Sequence, residues 1–260
     1  MKILRSGVLC VALLFVFAGS AMLTALPSML NSIPTTDVIA SKTATLMFTY
    51  YKYESRKDIP SRSSCVTGIE VGIADRFEIG FDFVNDKRFH DDGLYPTSFN
   101  FKWKVLSEDK DKSGFSLAVG SYNIGGKSVS DNAYKASPYI VFGKAYKDFR
   151  LFAGYQANLF AYKKIPVFEY DSMGEIYNSE NKDNSGIILG ADGVVIKGKY
   201  PVTGMIDYYC GAQPTLGVGL YQPINSWAWT YCYYKSVDEK LGITPIPASH
   251  WGSIFYTFHF

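Results

Sequence analysis

The sequence predicts an all-β fold: a single closed antiparallel transmembrane β-barrel of about twelve strands, an up-and-down meander that follows a cleaved leader. Three observations carry this. Apolar residues recur at every second position from Asp37 onward, which is the period of a strand. The alternating segments run to about ten residues and carry aromatic residues at their ends, as membrane-spanning strands do. The chain begins with an export signal, "MKILRSGVLCVALLFVFAGSAMLTALP".

That opening places Lys2 and Arg5 before an uncharged apolar run, Val8 to Phe17, and then small residues around Ala18 to Ala21. This is the order of a secretory signal peptide. An uncleaved anchor is the alternative, since Gly7 to Leu26 could just cover the roughly 20 residues of a spanning helix, but the short apolar core and the interruptions at Gly19, Ser20 and Thr24 favour cleavage. The predicted organisation is a signal peptide over 1–21, an N-terminal periplasmic segment over 22–40 and an outer-membrane barrel over 41–260. Removing 1–21 takes away two of 26 basic residues and none of 24 acidic ones, leaving 24 against 24. So balanced a chain offers no basic stripe for nucleic acid. Of four cysteines, Cys65, Cys210 and Cys232 remain, an odd number that cannot all pair within one chain. Cys210 and Cys232 could be bridged if their strands are neighbours.

The strands are expected near 41–53, 64–73, 77–85, 97–107, 115–124, 138–146, 149–162, 186–195, 200–210, 215–222, 227–235 and 251–260. In "FEIGFDF", Phe77, Ile79, Phe81 and Phe83 oppose Glu78, Gly80 and Asp82. "SFNFKWKV" sets Phe99, Phe101, Trp103 and Val105 against Asn100, Lys102 and Lys104, and "FRLFAGYQANL" and "SWAWTYCYY" repeat the pattern. A soluble sandwich would also alternate. Strand length, aromatic ends and the leader favour a barrel with its apolar band outside and its polar face inside. In hydrocarbon every backbone group must be paired, so strands span only when closed. Connections at "ADR", "DKDKSG", "KD", "IKGK" and "PINS" are short, while 54–63, 86–96, 125–137, 163–185 and 236–250 are long, with 211–214 an unexpectedly short member of the second class. Short periplasmic turns and long outer loops are the usual asymmetry, and an even count puts both termini in the periplasm.

The last residues, "IFYTFHF", alternate and end on Phe260. They resemble the C-terminal signal strand of Gram-negative outer-membrane barrels. That resemblance implies an outer-membrane location, partners in lipid and the barrel insertion machinery, and a role for Tyr256, Phe258 and Phe260 as the insertion signal. The segment "VGIADRFEIGFDF" is similar to hairpins of small outer-membrane barrels, some grouped with transport of aromatic compounds.

By alternation Glu70, Glu78, Asp82, Lys102, Lys104, Lys144, Arg150, Asp192 and Asp207 face the lumen. They either bridge one another, since buried charges need partners, or line a watery path and bias which solute passes. Tyr51 and Tyr234 also point inward and could stack on a sugar or an aromatic solute. "GSYNIGGKS", Gly120 to Ser128, resembles a phosphate loop, but Ser121 stands where the first Gly belongs, so it reads as an outer loop. "FHDDG" sets His90 beside Asp91 and Asp92, and Ser249 adjoins His250; either could serve a hydrolase. His259 is expected on the lumen wall. The leading expectation is a channel or uptake porin for a small polar or aromatic solute, with no catalytic residues, metal or cofactor. The alternatives are a hydrolase with its site in the outer loops and a sealed structural or adhesive barrel.

Overall fold

The computed structural model describes residues 29–30, 33–54, 61–86, 97–109, 111–125, 135–147, 149–157, 159–160, 165–170, 176–182, 185–210, 214–237 and 248–260. The leader over 1–21 and the His90, Asp91 and Asp92 cluster lie outside them. Fifteen strands follow in chain order: β1 Thr43–Tyr53, β2 Arg62–Ile73, β3 Phe77–Asp86, β4 Thr97–Leu106, β5 Ser116–Ile124, β6 Lys135–Ala145, β7 Phe149–Gln156, β8 Leu159–Phe160, β9 Ile165–Tyr170, β10 Ile176–Lys182, β11 Gly186–Ile196, β12 Val202–Cys210, β13 Thr215–Ile224, β14 Trp227–Ser236 and β15 Ser249–His259.

Twelve of them, β1–β7 and β11–β15, form the wall, each paired antiparallel with its neighbours. Closure is made by β1 against β15 over the full length of both, from Thr43 opposite His259 to Tyr53 opposite Ser249. The ring therefore leaves no open edge, which lipid would otherwise punish with unpaired backbone groups. β8 extends the pairing of β6, and β9 with β10 makes a separate hairpin inside the expected long connection 163–185.

One end of the barrel carries both termini of the wall and the mostly short connections, 107–115 being the longest; the other carries the mostly long ones, with 211–214 a short exception. The β2–β3 turn is tight because Ala74 and Asp75 both take positive φ (54° and 55°), and β13–β14 turns at Asn225 (57°). Such mirror-image turns match the twist of the flanking strands.

The outer face is apolar: Leu46, Phe48, Phe81, Phe101, Phe142, Leu151, Leu189, Leu220 and Ile254 are all exposed. In water each such half-exposed side chain would forgo on the order of 1 kcal/mol of burial, a penalty that lipid removes. Aromatic residues mark the short-turn end, where Phe77 stacks on Trp103 (5.8 Å) and Trp227 packs on Tyr256 (4.7 Å). These rings make the interfacial girdle that amphipathic side chains prefer.

Candidate functional site

The interior is not empty. The stretch 22–40 was expected in the periplasm; its described part, 29–30 and 33–40, runs inside the barrel and continues to Lys42 before β1. This strap turns back on itself, with Met29 bridging Pro34 and the Leu30 N–H donating to Ile33 O (2.9 Å). Leu30 and Ile33 are 1% and 0% exposed, in a cluster with Val141, Phe152, Ile188 and Met205 from the wall. Gly190 makes room for them, since a β-carbon there would lie 2.8 Å from Ile33 Cδ1.

Charged wall residues hold the strap by its polar groups. The Ile33 N–H donates to Asp207 Oδ2 (3.3 Å), the Ile39 N–H to Glu78 Oε2 (2.9 Å) and the Ser41 N–H to Asp75 Oδ1 (2.7 Å). Asp37 gathers the cations: Arg150 binds its carboxylate, Lys104 Nζ lies 3.6 Å from it, and Lys102 Nζ donates to its backbone oxygen (2.9 Å). Arg150 also holds Asp192, with Nε 2.9 Å from Oδ1, so one guanidinium serves two carboxylates. Planar multi-donor geometry suits Arg to this task. Gly143 lies beneath the strap, where a β-carbon would meet Thr36 Oγ1 at 2.6 Å.

Of the nine lumen residues expected from alternation, Glu78, Lys102, Lys104, Arg150 and Asp207 thus touch the strap, and Asp192 supports it through Arg150. Glu70 and Asp82 line the hollow part of the lumen. Lys144 does not face inward. It shares a side of β6 with the exposed Ile140 and Phe142, while Gly143 faces the strap. Its ammonium pairs with Glu108 in the β4–β5 turn and donates to Gly114 O (2.5 Å). At a strand end a long side chain reaches past the apolar band to water, so charge alone does not fix its side. Burial works against the Glu108 carboxylate, but donors from Lys144 and the Ala145 N–H prevail and hold its pKa below the usual range.

The hollow part is a cavity of about 250 Å³ against β1–β4. The strap's Met29 and Pro34 form one side of it and Tyr51, Tyr122 and Trp251 contribute rings. Of Gly120 to Ser128, expected as an outer loop, Gly120 to Ile124 belong to β5 instead, and Gly120 is inward and covered by Tyr139. Ser249 and His250 do not form a pair: successive strand residues face opposite ways. Ser249 is buried, while His250 is held at the rim by Glu54 (2.7 Å) and Tyr231 (2.5 Å). His259 Nδ1 sits 2.9 Å from Thr43 Oγ1 across the closing seam. Cys65, Cys210 and Cys232 form no disulfide among the described residues, and β13 separates the strands of the last two.

A closed ring of paired strands, apolar without and charged within, is the architecture of an integral outer-membrane barrel of the Gram-negative kind. Among solved structures the chain is similar to the "KdgM porin", with a TM-score of 0.54 and 11% identity over 83% of this chain and 99% of that one. It is also similar to the translocator domain of autotransporter NalP from Neisseria meningitidis (TM-score 0.49, 11% identity, 86% of this chain and 91% of that one). The β domain of the Bordetella autotransporter BrkA gives 0.46 at 11% identity, over 84% of this chain and all of that chain. At such identity the likeness is one of fold. No family model and no curated protein sequence matches the chain.

Proposed function

We propose that this barrel is an outer-membrane channel for a small polar solute, that its short-turn end faces the periplasm, and that the strap closes it from that side. The observation that carries the reading is how the strap is held. Its polar grip consists of backbone N–H groups on wall carboxylates and one aspartate on three wall cations, all groups that water or a charged solute can replace. With the strap displaced, the same charges line an aqueous path and set its selectivity. A likeness in fold to a protein named a porin is in line with this.

The packing of Leu30 and Ile33 favours a second reading, a permanently sealed structural barrel. Conductance of the refolded protein in a planar bilayer separates the two. A channel shows rare discrete openings when intact and frequent ones when 22–40 is deleted, with an ion preference that shifts on Lys102→Gln and Lys104→Gln. A folded barrel that stays silent without 22–40 sinks the channel reading.

A further inference from the structure

The cavity beside the strap has an uneven charge inventory. Three acids line it, Glu70, Glu78 and Asp82, against one base, Lys102. That base stands directly across the ladder from Glu78 and also donates to Asp37 O (2.9 Å), while neither Glu70 nor Asp82 forms an ion pair among the described residues. Uncompensated carboxylates in a low-dielectric interior are costly unless a cation or donors meet them.

Two of the polar groups are also short of partners. Asp82 Oδ2 accepts from Asn100 Nδ2 (2.5 Å), but Oδ1 has no hydrogen-bond partner among the described residues. Ser98, directly across the ladder from Asp82 and only 4% exposed, lines the same cavity, and its Oγ is likewise without a partner. Native interiors rarely leave such groups unmatched, and where they do the site calls for an explanation. Both oxygens are covered in this conformation, so an occupant with N–H donors satisfies them when the Asp82 and Ser98 side chains turn into the cavity that they line.

The arrangement also discriminates among cations. Among the described residues no three Asp, Glu, His or Cys side chains converge as ligands for a metal ion. Rings stand around the acids instead: Tyr51 against Trp251 (6.0 Å) and Tyr122 against Tyr139 (5.3 Å). Aromatic faces attract an ammonium group and pack the carbon chain that bears it. A volume of about 250 Å³ falls below the usual range for drug-sized ligands, so the occupant is small.

We infer that the cavity between the strap and β1–β4 is a binding site for a small organic amine, its ammonium held by Asp82 and Glu70 and its body by Tyr51 and Trp251. The site lies in the lumen that the channel reading makes a path, and it names a solute class for that path. Its test is therefore equilibrium binding, which does not require flow.

Titration calorimetry of the intact refolded barrel with putrescine, and with succinate as the control of opposite charge, reads the site directly. Putrescine is expected to bind and succinate not. Glu70→Gln with Asp82→Asn weakens putrescine binding by about tenfold or more, as loss of charge-assisted contacts does. Glu108→Gln, at the distant turn, leaves it unchanged. Trp251 gives a readout in the unaltered protein: its emission changes with putrescine alone, and the change vanishes in Trp251→Phe. No putrescine binding, equal binding of succinate, or full affinity in the double variant would overturn the site. Binding without conductance overturns only the channel reading, and conductance without binding only the amine site.

Discussion

The two halves of the lumen wall share one rule of alternation and do opposite things with it. Along β7, β11 and β12 the inward positions include Phe152, Ile188 and Met205, which pack on Leu30 and Ile33, and the charges among them, Arg150, Asp192 and Asp207, are engaged with the strap or with one another. Along β1–β4 they include Thr49, Glu70, Asp82 and Lys102, which leave a cavity. The filled half behaves as a protein core that happens to lie inside a barrel. The hollow half is the part that resembles a lumen. An inward position is thus not a polar position by right; its chemistry depends on what stands opposite.

The strongest way to break this comparison is to attack the packed half. Leu30→Ala with Ile33→Ala removes two buried side chains, at about 2–5 kcal/mol each for such truncations. The strap then loosens, read as faster hydrogen exchange of the Ile33 and Ile39 amides, while the wall keeps its protection. A smaller effect is expected from Asp37→Asn. It weakens the strap's hold on Arg150 and Lys104, a loss of about 1.5–3 kcal/mol for hydrogen bonds to charged groups. If this change freed the strap as fully as the double truncation, the polar contacts would be the true anchor and the apolar packing would be secondary.

The least effect comes from the rim. Glu108 has a depressed pKa when folded, so its pairing with Lys144 is present above the unfolded value and is lost as pH falls through the folded one. For a solvent-facing pair this amounts to less than about 1 kcal/mol. Glu108→Gln should flatten that acid limb of barrel stability, measured by the heat-shifted gel mobility of the folded form, and leave the strap in place.

Much of the wall was legible because its signal is local. Each of the twelve segments alternates within itself, and Phe77, Ile79, Phe81 and Phe83 declare their side without reference to any other strand. Lys144 was misplaced: it shares the parity of the exposed Ile140 and Phe142, not that of the inward Val141 and Gly143. The strap was not legible at all. "IPTTDVIAS" has no period of its own, and its place depends on Gly143 and Gly190 lying inward opposite it, which is known only once the register is known. The hairpin β9–β10 fell within a connection too long to interpret from its residues. The cavity was half legible: its acids were anticipated, but not that Lys102 would turn to a backbone oxygen of the strap.

The seam between β1 and β15 joins residues from opposite ends of the chain, Thr43 with His259. Contacts so distant in sequence form late, because the intervening chain must be ordered first. The strap is covalently continuous with β1 and already sits within the ring that this seam completes. While the sheet is still open, the strap can be laid on it sideways; once the ring is shut, it can enter only lengthwise through the mouth. The order of assembly therefore favours a wall wrapped around its own leading segment, with Leu30 and Ile33 serving as a mandrel for the strands that follow.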